Sequence, residues 1–253
     1  MIANSQSKAV AKLPPPRSGL TLGELVIATG IVVVTVVVAA ALLLPATRTA
    51  REPARRSQCK NNLKQIGLAL HNYYDEHHAL PPAYTVDEDG KRLHSWRTLI
   101  LPYLDQKPLY DKIDLTKAWD DPANAEAFKS TIYCYSCPSF DGPQINTTYL
   151  AVVTSNSCLR PAESRLLSEI KDGTSNTLMV VEADTERAVH WMSPNDADES
   201  MILEVAPTSK LAHTGGIHVL FADGSVRFLN DTVSADIRRA LISVAGNEPL
   251  SSF

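Results

Sequence analysis

The sequence predicts an α+β protein in which a long N-terminal helix leads into a head with antiparallel β-strands and a C-terminal helix. Three observations carry this prediction. Residues 25–44 form an unbroken apolar run, apolar residues recur at helical spacing over 57–75, and two short apolar runs near the C-terminus are joined by Asp223-Gly224. A long helix followed by antiparallel strands is an α+β arrangement.

The apolar run 25–44 contains no ionisable side chain in twenty positions. As a helix it would be about 30 Å long, which matches the hydrocarbon thickness of a bilayer. The β-branched residues Val32–Val38 would favour a strand in water, but in lipid the backbone must satisfy its own hydrogen bonds, so a helix is favoured. We therefore predict a membrane-spanning helix rather than a buried core helix.

A basic segment precedes this span and contains Lys8, Lys12 and Arg17 but no acidic residue, as is typical of a targeting leader. Three interpretations are open: an uncleaved anchor, a secretory signal cut after Ala39–Ala41, and a leader cut before the apolar run. The apolar run continues beyond Ala41, which disfavours the secretory signal.

Glu24 at the head of the span favours a leader cut before the apolar run. A carboxylate in a membrane helix is costly, by roughly 2.5–3.5 kcal/mol at the bilayer centre and less near an interface. A newly freed α-amine at Leu20 would supply a positive partner. The other interpretation is an interfacial Glu24 that reaches water.

The stretch Ser18–Leu25, reading SGLTLGEL, resembles the cleavage and methylation site of type IV prepilins and type II secretion pseudopilins. The resemblance implies that a prepilin peptidase cuts after Gly19 and methylates Leu20, where that family usually has Phe. It also implies that Glu24 neutralises the N-terminus of a neighbouring subunit during assembly.

Charge placement around the span gives a conflicting topology. More basic residues follow the span than precede it, so the positive-inside rule would turn the N-terminus outward. The resemblance implies the opposite, because the leader must face a peptidase on the cytoplasmic side. We therefore expect a single-pass protein of the bacterial inner membrane with an extracytoplasmic head, and a filament or cell-surface location after assembly.

Local patterns predict several elements after the span. Pro45 and Pro53 should each kink or break a helix. Beyond them an apolar stripe predicts a helix over 57–75 that packs on the head. Thr177–Ala183 is a candidate buried strand.

The C-terminal region predicts a hairpin and a helix. The runs His218–Ala222 and Ser225–Leu229 flank Asp223-Gly224, which predicts a type I′ turn. Ser234 is a candidate cap for a last helix that ends near Gly246.

The head also resembles a known family. The stretch Gln58–Tyr73 resembles the region after the span in a large bacterial family of prepilin-like proteins with a second domain of unknown function. The same resemblance extends to His94–Arg97, Leu101–Leu104, Cys137–Ser139, Asp172–Thr177 and His190–Met192. His213, followed after nine residues by Asp223 and Gly224, fits the signature of prepilin-type processing-associated H-X9-DG proteins.

His213 and Asp223 could form an acid–base pair, but a structural interpretation is preferred. Asp223 suits the turn for conformational reasons alone, and Gly215-Gly216 would let a loop fold His213 back onto the hairpin. We expect a clasp between loop and turn, and no enzyme activity. The sequence contains no phosphate-binding glycine loop, no nucleophile elbow and no HExxH motif.

Four cysteines suggest a disulfide rather than a metal site. Cys134 and Cys137 form one C-x-x-C, and the chain has no second one to complete a zinc motif. In an oxidising compartment a Cys134–Cys137 disulfide is favoured. If all four cysteines, including Cys59 and Cys158, are joined, three pairings are possible.

We predict no metal and no cofactor. Histidines around 71–78 are interpreted as solvated side chains. The acidic groups at 87–89 and 196–199 could hold Ca²⁺, but neither has the full EF-hand spacing, so polar loops are favoured.

The charge distribution bears on partners. The whole chain carries a net charge of -4, whereas the part after Arg56 holds 17 basic and 26 acidic residues. Such a head favours cations or basic proteins over nucleic acid. The resemblance implies a prepilin peptidase, other pilin or pseudopilin subunits in a homo- or hetero-polymer, and the membrane as partners.

Together these observations divide the chain into a cleaved leader (1–19), a membrane helix with a basic juxtamembrane segment (20–56) and an acidic head (57–253). We expect a structural pilin- or pseudopilin-like subunit of a type II secretion or type IV pilus-like filament. The alternative is a membrane-anchored module that binds an extracellular ligand, such as a polysaccharide, without polymerising.

Overall fold

The computed structural model describes residues 21–246 and, within them, all side chains outside 41–50. The fold is mixed α+β with antiparallel sheets, as predicted. The chain divides into two units, Met1–Ala50 and Arg51–Phe253, which are described separately below.

Most helices after the first are short. The α-helices are α1 Leu22–His77, α2 Trp96–Leu99, α3 Lys107–Tyr110, α4 Ala125–Phe128, α5 Glu199–Leu203 and α6 Ala235–Ile242. Single 3₁₀ turns lie at Leu101–Leu104, Pro122–Asn124, Tyr133–Tyr135, Leu167–Glu169 and Thr185–Arg187.

Within residues 21–246, eight strands form three antiparallel sheets. The strands are β1 Tyr84–Val86, β2 Arg92–Ser95, β3 Asn146–Thr147, β4 Tyr149–Ala151, β5 Leu178–Glu182, β6 Val189–His190, β7 Gly216–Phe221 and β8 Val226–Asn230. The main sheet has the order β4-β5-β7-β8, while β1–β2 and β3–β6 form separate pairs.

Within the first unit, the part of α1 from Leu22 to Ala40 is apolar and unburied. The segment Leu22–Ala40 is long and apolar enough to cross a membrane, and none of it is buried. Its large apolar side chains from Leu22 to Val38 are 51% to 81% exposed. The segment is therefore an N-terminal apolar helix that can serve as a single-pass anchor or a signal sequence.

The prolines do not end α1, so a break at Pro45 or Pro53 is ruled out. A helical proline removes one backbone hydrogen bond and crowds the preceding turn, at a cost of about 3 kcal/mol. Long helical segments precede Pro45 and follow Pro53, and the helix continues through both positions.

The C-terminal part of α1 carries the predicted apolar stripe. Cys59, Leu63, Ile66 and Leu70 follow one another at spacings of three or four and are fully buried. Gly67 lies on the same helix, where an added Cβ would come within 2.8 Å of Leu220 Cδ1 of β7. A small residue at this position lets the helix approach the sheet closely.

The main sheet is covered on both faces. One core cluster joins the α1 stripe to residues such as Val180 and Leu220, and the other joins the opposite face to Leu241 and Ile242 of α6. Strand β5 is buried along its whole length, which confirms the buried strand predicted at 177–183.

The predicted C-terminal hairpin is present as β7 and β8, but its turn is not type I′. The Phe221 carbonyl accepts from Gly224 N, and Phe221 N donates to the Ser225 carbonyl. Within the connection from Phe221 to Ser225, Gly224 alone has a positive φ, of 79°. The connection is therefore a three-residue loop with a bulge at glycine, because Asp223 keeps a negative φ.

The last helix confirms its predicted cap and ends early. The Ser234 hydroxyl accepts from Ile237 N at the start of α6. The helix ends at Ile242, four residues before Gly246, and the chain continues into an extended Ser243.

Arg97 organises the buried contacts between α2, β4 and the loop 191–196. Its guanidinium is fully buried and donates to Asp196 Oδ1 at 2.6 Å, and also to four carbonyls, those of Tyr149, Trp191, Ser193 and Asn195. One side chain thus fixes the loop 191–196 to β4. Burial raises the pKa of Asp196, although Arg97 opposes that shift.

We predict that Arg97→Met lowers the free energy of unfolding by about 3–5 kcal/mol, because it leaves Asp196 buried without its cation. Urea denaturation followed by the fluorescence of the buried Trp96 and Trp191 would measure the change. Arg239→Met is the matched control, since Arg239 is 54% exposed and pairs with Glu199. The control should cost no more than about 1 kcal/mol; equal losses in both variants would contradict the prediction.

Candidate functional site

The predicted processing residues Gly19 and Leu20 lie outside the residues that the structure describes. Glu24 is described, and it forms a capping box with Thr21. Its Oε2 accepts from Thr21 N and from Thr21 Oγ1, both at 2.9 Å, while Glu24 N donates to Thr21 Oγ1 at 3.3 Å. Glu24 therefore stabilises the N-terminus of α1, a local role that sequence reasoning missed although T-x-x-E is its signature.

The expected clasp between His213 and Asp223 is not present. His213 precedes β7 and Asp223 follows it, so six strand residues, or about 20 Å, separate them. The Asp223 carboxylate accepts instead from Ser225 N at 2.8 Å within the turn. The same separation excludes a direct acid–base pair.

The cysteine expectation also needs correction. All four cysteines are free and buried, and the sulfur of Cys137 lies 2.7 Å from that of Cys59 rather than beside Cys134. Cys134 belongs to the 3₁₀ turn Tyr133–Tyr135, and Cys137 lies beyond it. Burial raises the pKa of Cys134 and of Cys158 to about 12, so both remain neutral thiols.

Four potential ligand groups converge inside the head, and we call them the buried cluster: Cys59, Cys137, Glu182 and His213. One donor atom from each lies within 4.8 Å of the others, and all four residues are buried. His213 Nε2 is 3.8 Å from Cys137 Sγ and 3.6 Å from Glu182 Oε1. The cluster brings together Cys137 and His213, two residues that the sequence singled out separately.

Each member arrives from a different part of the chain. Cys59 belongs to the buried stripe of α1, and Glu182 is the last residue of β5. His213 is held by a bridge to Gly216 at the start of β7. At Gly216 an added Cβ would lie 2.2 Å from the Leu229 carbonyl oxygen, so the close approach of this loop to β8 requires glycine.

Two further side chains hold the cluster in place. His213 Nδ1 lies 2.8 Å from Glu52 Oε1, near the start of the second unit. Glu182 Oε2 accepts from the backbone N–H of His218 at 3.3 Å and lies 3.2 Å from His218 Nδ1. Arg56 pairs with Glu52 and also donates to the Thr214 carbonyl, which ties α1 to the His213 loop.

The electrostatics favour a charged histidine between carboxylates. Burial opposes the charge on His213, but Cys137, Glu182 and Glu52 outweigh it and raise its pKa to about 9. Burial would likewise raise the pKa of Glu182, yet His218 and His213 lower it below its usual value. The hydrogen bond with Cys59, together with burial, raises the pKa of the Cys137 thiol well above its ordinary range.

Glu182 and Glu52 were missed by sequence reasoning. The one available signal was a carboxylate at the end of an otherwise apolar strand, since an unpaired buried charge is rare. Glu52 gave no signal, because it lies in a run of charged residues near Pro53.

The acidic stretch 196–199 serves the fold. Asp196 binds Arg97, Asp198 caps α5 by accepting from Met201 N at 2.9 Å, and Glu199 pairs with Arg239. Each of these three carboxylates therefore has a separate partner within the head.

A groove beside α1 is the other feature suited to binding. Its lining includes Gln65, Leu68, Tyr103, Gln106 and Tyr133. Tyr133 is 87% exposed and Leu68 is 64% exposed, so the groove offers an aromatic face and an aliphatic face to a partner.

One family model matches the chain over residues 48–161 and 208–236. Its two ranges contain Glu52, Cys59, Cys137 and His213, whereas Glu182 falls between them. Comparisons with curated proteins and with solved structures give no match. Matched over more than half of its length, the chain belongs to the family described as protein of unknown function (DUF1559).

Proposed function

We propose that the chain is a structural pilin- or pseudopilin-like subunit, processed after Gly19 and assembled through α1 into a type II secretion or type IV pilus-like filament. The observation that carries this proposal is the apolar, wholly unburied segment Leu22–Ala40 with Glu24 in its first turn. Such a surface needs lipid or neighbouring helices around it, because burial of apolar area is the main favourable term in association. Membership of a family that usually has a prepilin-like N-terminus supports it further.

In this proposal the protein acts by assembly rather than catalysis. Before assembly the helix spans the bacterial inner membrane, and the head lies outside the cytoplasm. After cleavage the α-amine of Leu20 on one subunit pairs with Glu24 of a neighbour, which offsets the cost of a carboxylate in an apolar environment. The methyl group added to that amine leaves its positive charge in place.

We predict that coexpression of the full chain with a prepilin peptidase yields a mature protein that starts at N-methylated Leu20. Mass spectrometry of the intact protein and of its N-terminal peptide would establish this. Gly19→Val should abolish cleavage, because a branched side chain blocks the scissile position, whereas Gly23→Ala should be cleaved as efficiently as the wild type. A wild-type chain that still starts at Met1 beside an active peptidase would refute the processing step.

We predict that Glu24→Gln is cleaved normally but is depleted from sheared filaments by about tenfold, the effect of losing one charge pair worth about 1.4 kcal/mol. Glutamine can still complete the capping box with Thr21. Thr21→Val removes that box but keeps the charge, so it should assemble nearly as well as the wild type. Equal assembly defects in the two variants would show that Glu24 acts only as a helix cap.

The second candidate is a membrane-anchored head that binds an extracytoplasmic ligand, such as a polysaccharide, and does not polymerise. The groove with the exposed Tyr133 favours it, since an exposed aromatic ring offers an apolar stacking surface. Cross-linking in the membrane separates the two functions. Helix-to-helix products near Glu24 favour the filament, and monomeric anchors alone favour the binding module.

A further inference from the structure

The buried cluster has a composition that the fold alone does not require. Two thiols, an imidazole and a carboxylate meet in the core, and the carboxylate in particular is usually buried only with a specific partner. Glu182 is the most demanding member because it is 1% exposed and ends a strand that is otherwise apolar. Its Oε2 is held by His218, whereas its Oε1 accepts no hydrogen bond within the described part of the chain.

We propose that the buried cluster is a tetrahedral transition-metal site, best suited to Zn²⁺, with Cys59 Sγ, Cys137 Sγ, Glu182 Oε1 and His213 Nε2 as its four ligands. This inference concerns the architecture of the head and does not depend on the proposed function. The metal would be structural, because four protein ligands leave no open position for a substrate.

The separations within the cluster fit such a site closely on two edges. Zinc bonds of ~2.3 Å to sulfur and ~2.0–2.2 Å to nitrogen or oxygen give tetrahedral edges of ~3.6 Å for N···S and ~3.4 Å for N···O. The observed values are 3.8 Å from His213 Nε2 to Cys137 Sγ and 3.6 Å from His213 Nε2 to Glu182 Oε1. The ligand atoms on these edges therefore need to move by only a few tenths of an ångström.

The sulfur pair must open to accept the ion. Cys59 Sγ and Cys137 Sγ are 2.7 Å apart, whereas two zinc thiolates in a tetrahedral site lie ~3.8 Å apart. A rotation of one cysteine side chain provides this change without backbone movement, and repulsion between two thiolates acts in the same direction. A disulfide requires the opposite change, to ~2.05 Å.

The surroundings resemble those of a metal-bound histidine. A ligating imidazole usually donates its second N–H to a carboxylate, which fixes the tautomer and the orientation of the ring. His213 Nδ1 faces Glu52 Oε1 at 2.8 Å, which leaves Nε2 directed at Cys137 and Glu182. His218 orients the Glu182 carboxylate through its other oxygen.

A metal ion accounts for the whole cluster better than a disulfide does. A Cys59–Cys137 disulfide would use both sulfurs and leave Glu182 Oε1 with only the His213 imidazole, 3.6 Å away. A divalent ion would bind that oxygen and both sulfurs at once. Thiolate and imidazole ligands select zinc over Ca²⁺ or Mg²⁺, which prefer oxygen ligands.

The test uses the full chain, purified in detergent with a reductant and exposed first to zinc and then to cobalt. We expect one zinc per chain by elemental mass spectrometry after removal of loosely bound metal. Replacement by Co²⁺ should give the visible bands of a tetrahedral ion and a near-ultraviolet sulfur-to-cobalt charge-transfer band. These wild-type measurements need no variant, so a misfolded mutant cannot decide the result.

Variants then assign the ligands. The double variant Cys59→Ser/Cys137→Ser should lose the charge-transfer band and the bound zinc. Cys134→Ser/Cys158→Ser is the matched control, since it removes two other buried thiols and should keep one zinc per chain. Glu52→Gln should weaken zinc binding by about 10- to 100-fold while the tetrahedral spectrum is retained.

Two results would overturn the proposal. The first is that the reduced, folded wild-type chain binds neither zinc nor cobalt stoichiometrically. This result counts against the site whether or not peptide mapping of unreduced protein finds a Cys59–Cys137 disulfide. The second is that bound zinc and the cobalt–sulfur charge-transfer band persist in Cys59→Ser/Cys137→Ser but are lost in the control Cys134→Ser/Cys158→Ser. Failure of prepilin cleavage would leave these readouts unchanged, so the metal site and the proposed function can be judged separately.

Discussion

The burial of one carboxylate, that of Glu182, is the constraint around which the head is arranged. A charge in the central sheet needs compensation from within the protein, because an isolated ionised group in a low-dielectric interior is very costly. The compensating groups are His218 from the neighbouring strand and His213 from the preceding loop, while Cys59 of α1 completes the cluster beside them. The candidate site therefore forms only when α1 packs on the sheet.

The two units differ in how they compensate for groups that are costly in their surroundings. In the head, the buried charge of Arg97 is paired internally, with Asp196 and four backbone carbonyls. In the first unit, the apolar segment Leu22–Ala40 has no protein surface against it among the described residues, so its stabilisation must come from lipid or from other chains. A head with its own hydrophobic core, joined to an exposed apolar helix, is compatible with a pilin-like or membrane-anchored protein.

The elements that the sequence predicted correctly are those set by local chemistry. The stripe at Leu63, Ile66 and Leu70, the buried strand β5 and the Ser234 cap each follow from spacing or hydrogen bonding within a few residues. The errors arose where distant segments decide. The partner of Cys137 depends on where α1 docks, since Cys59 is 78 positions away. Glu52 reaches His213 across 161 positions, so no spacing rule could have linked them.

The interval of nine residues between His213 and Asp223-Gly224 has a physical explanation in β7. The nine intervening residues are a short glycine-containing connection, the six residues Gly216–Phe221 that cross the main sheet, and the first residue of the turn. At one end of the strand, His213 must lie beside Glu182 and Cys137. At the other end, the chain must reverse direction at Gly224. Because side chains alternate along a strand, one residue more or fewer would exchange the faces that carry Leu220 and Val219. The interval is therefore set by the length of β7. It ties the position of the buried cluster to the register of the hairpin, and it does not join His213 and Asp223 in one catalytic site.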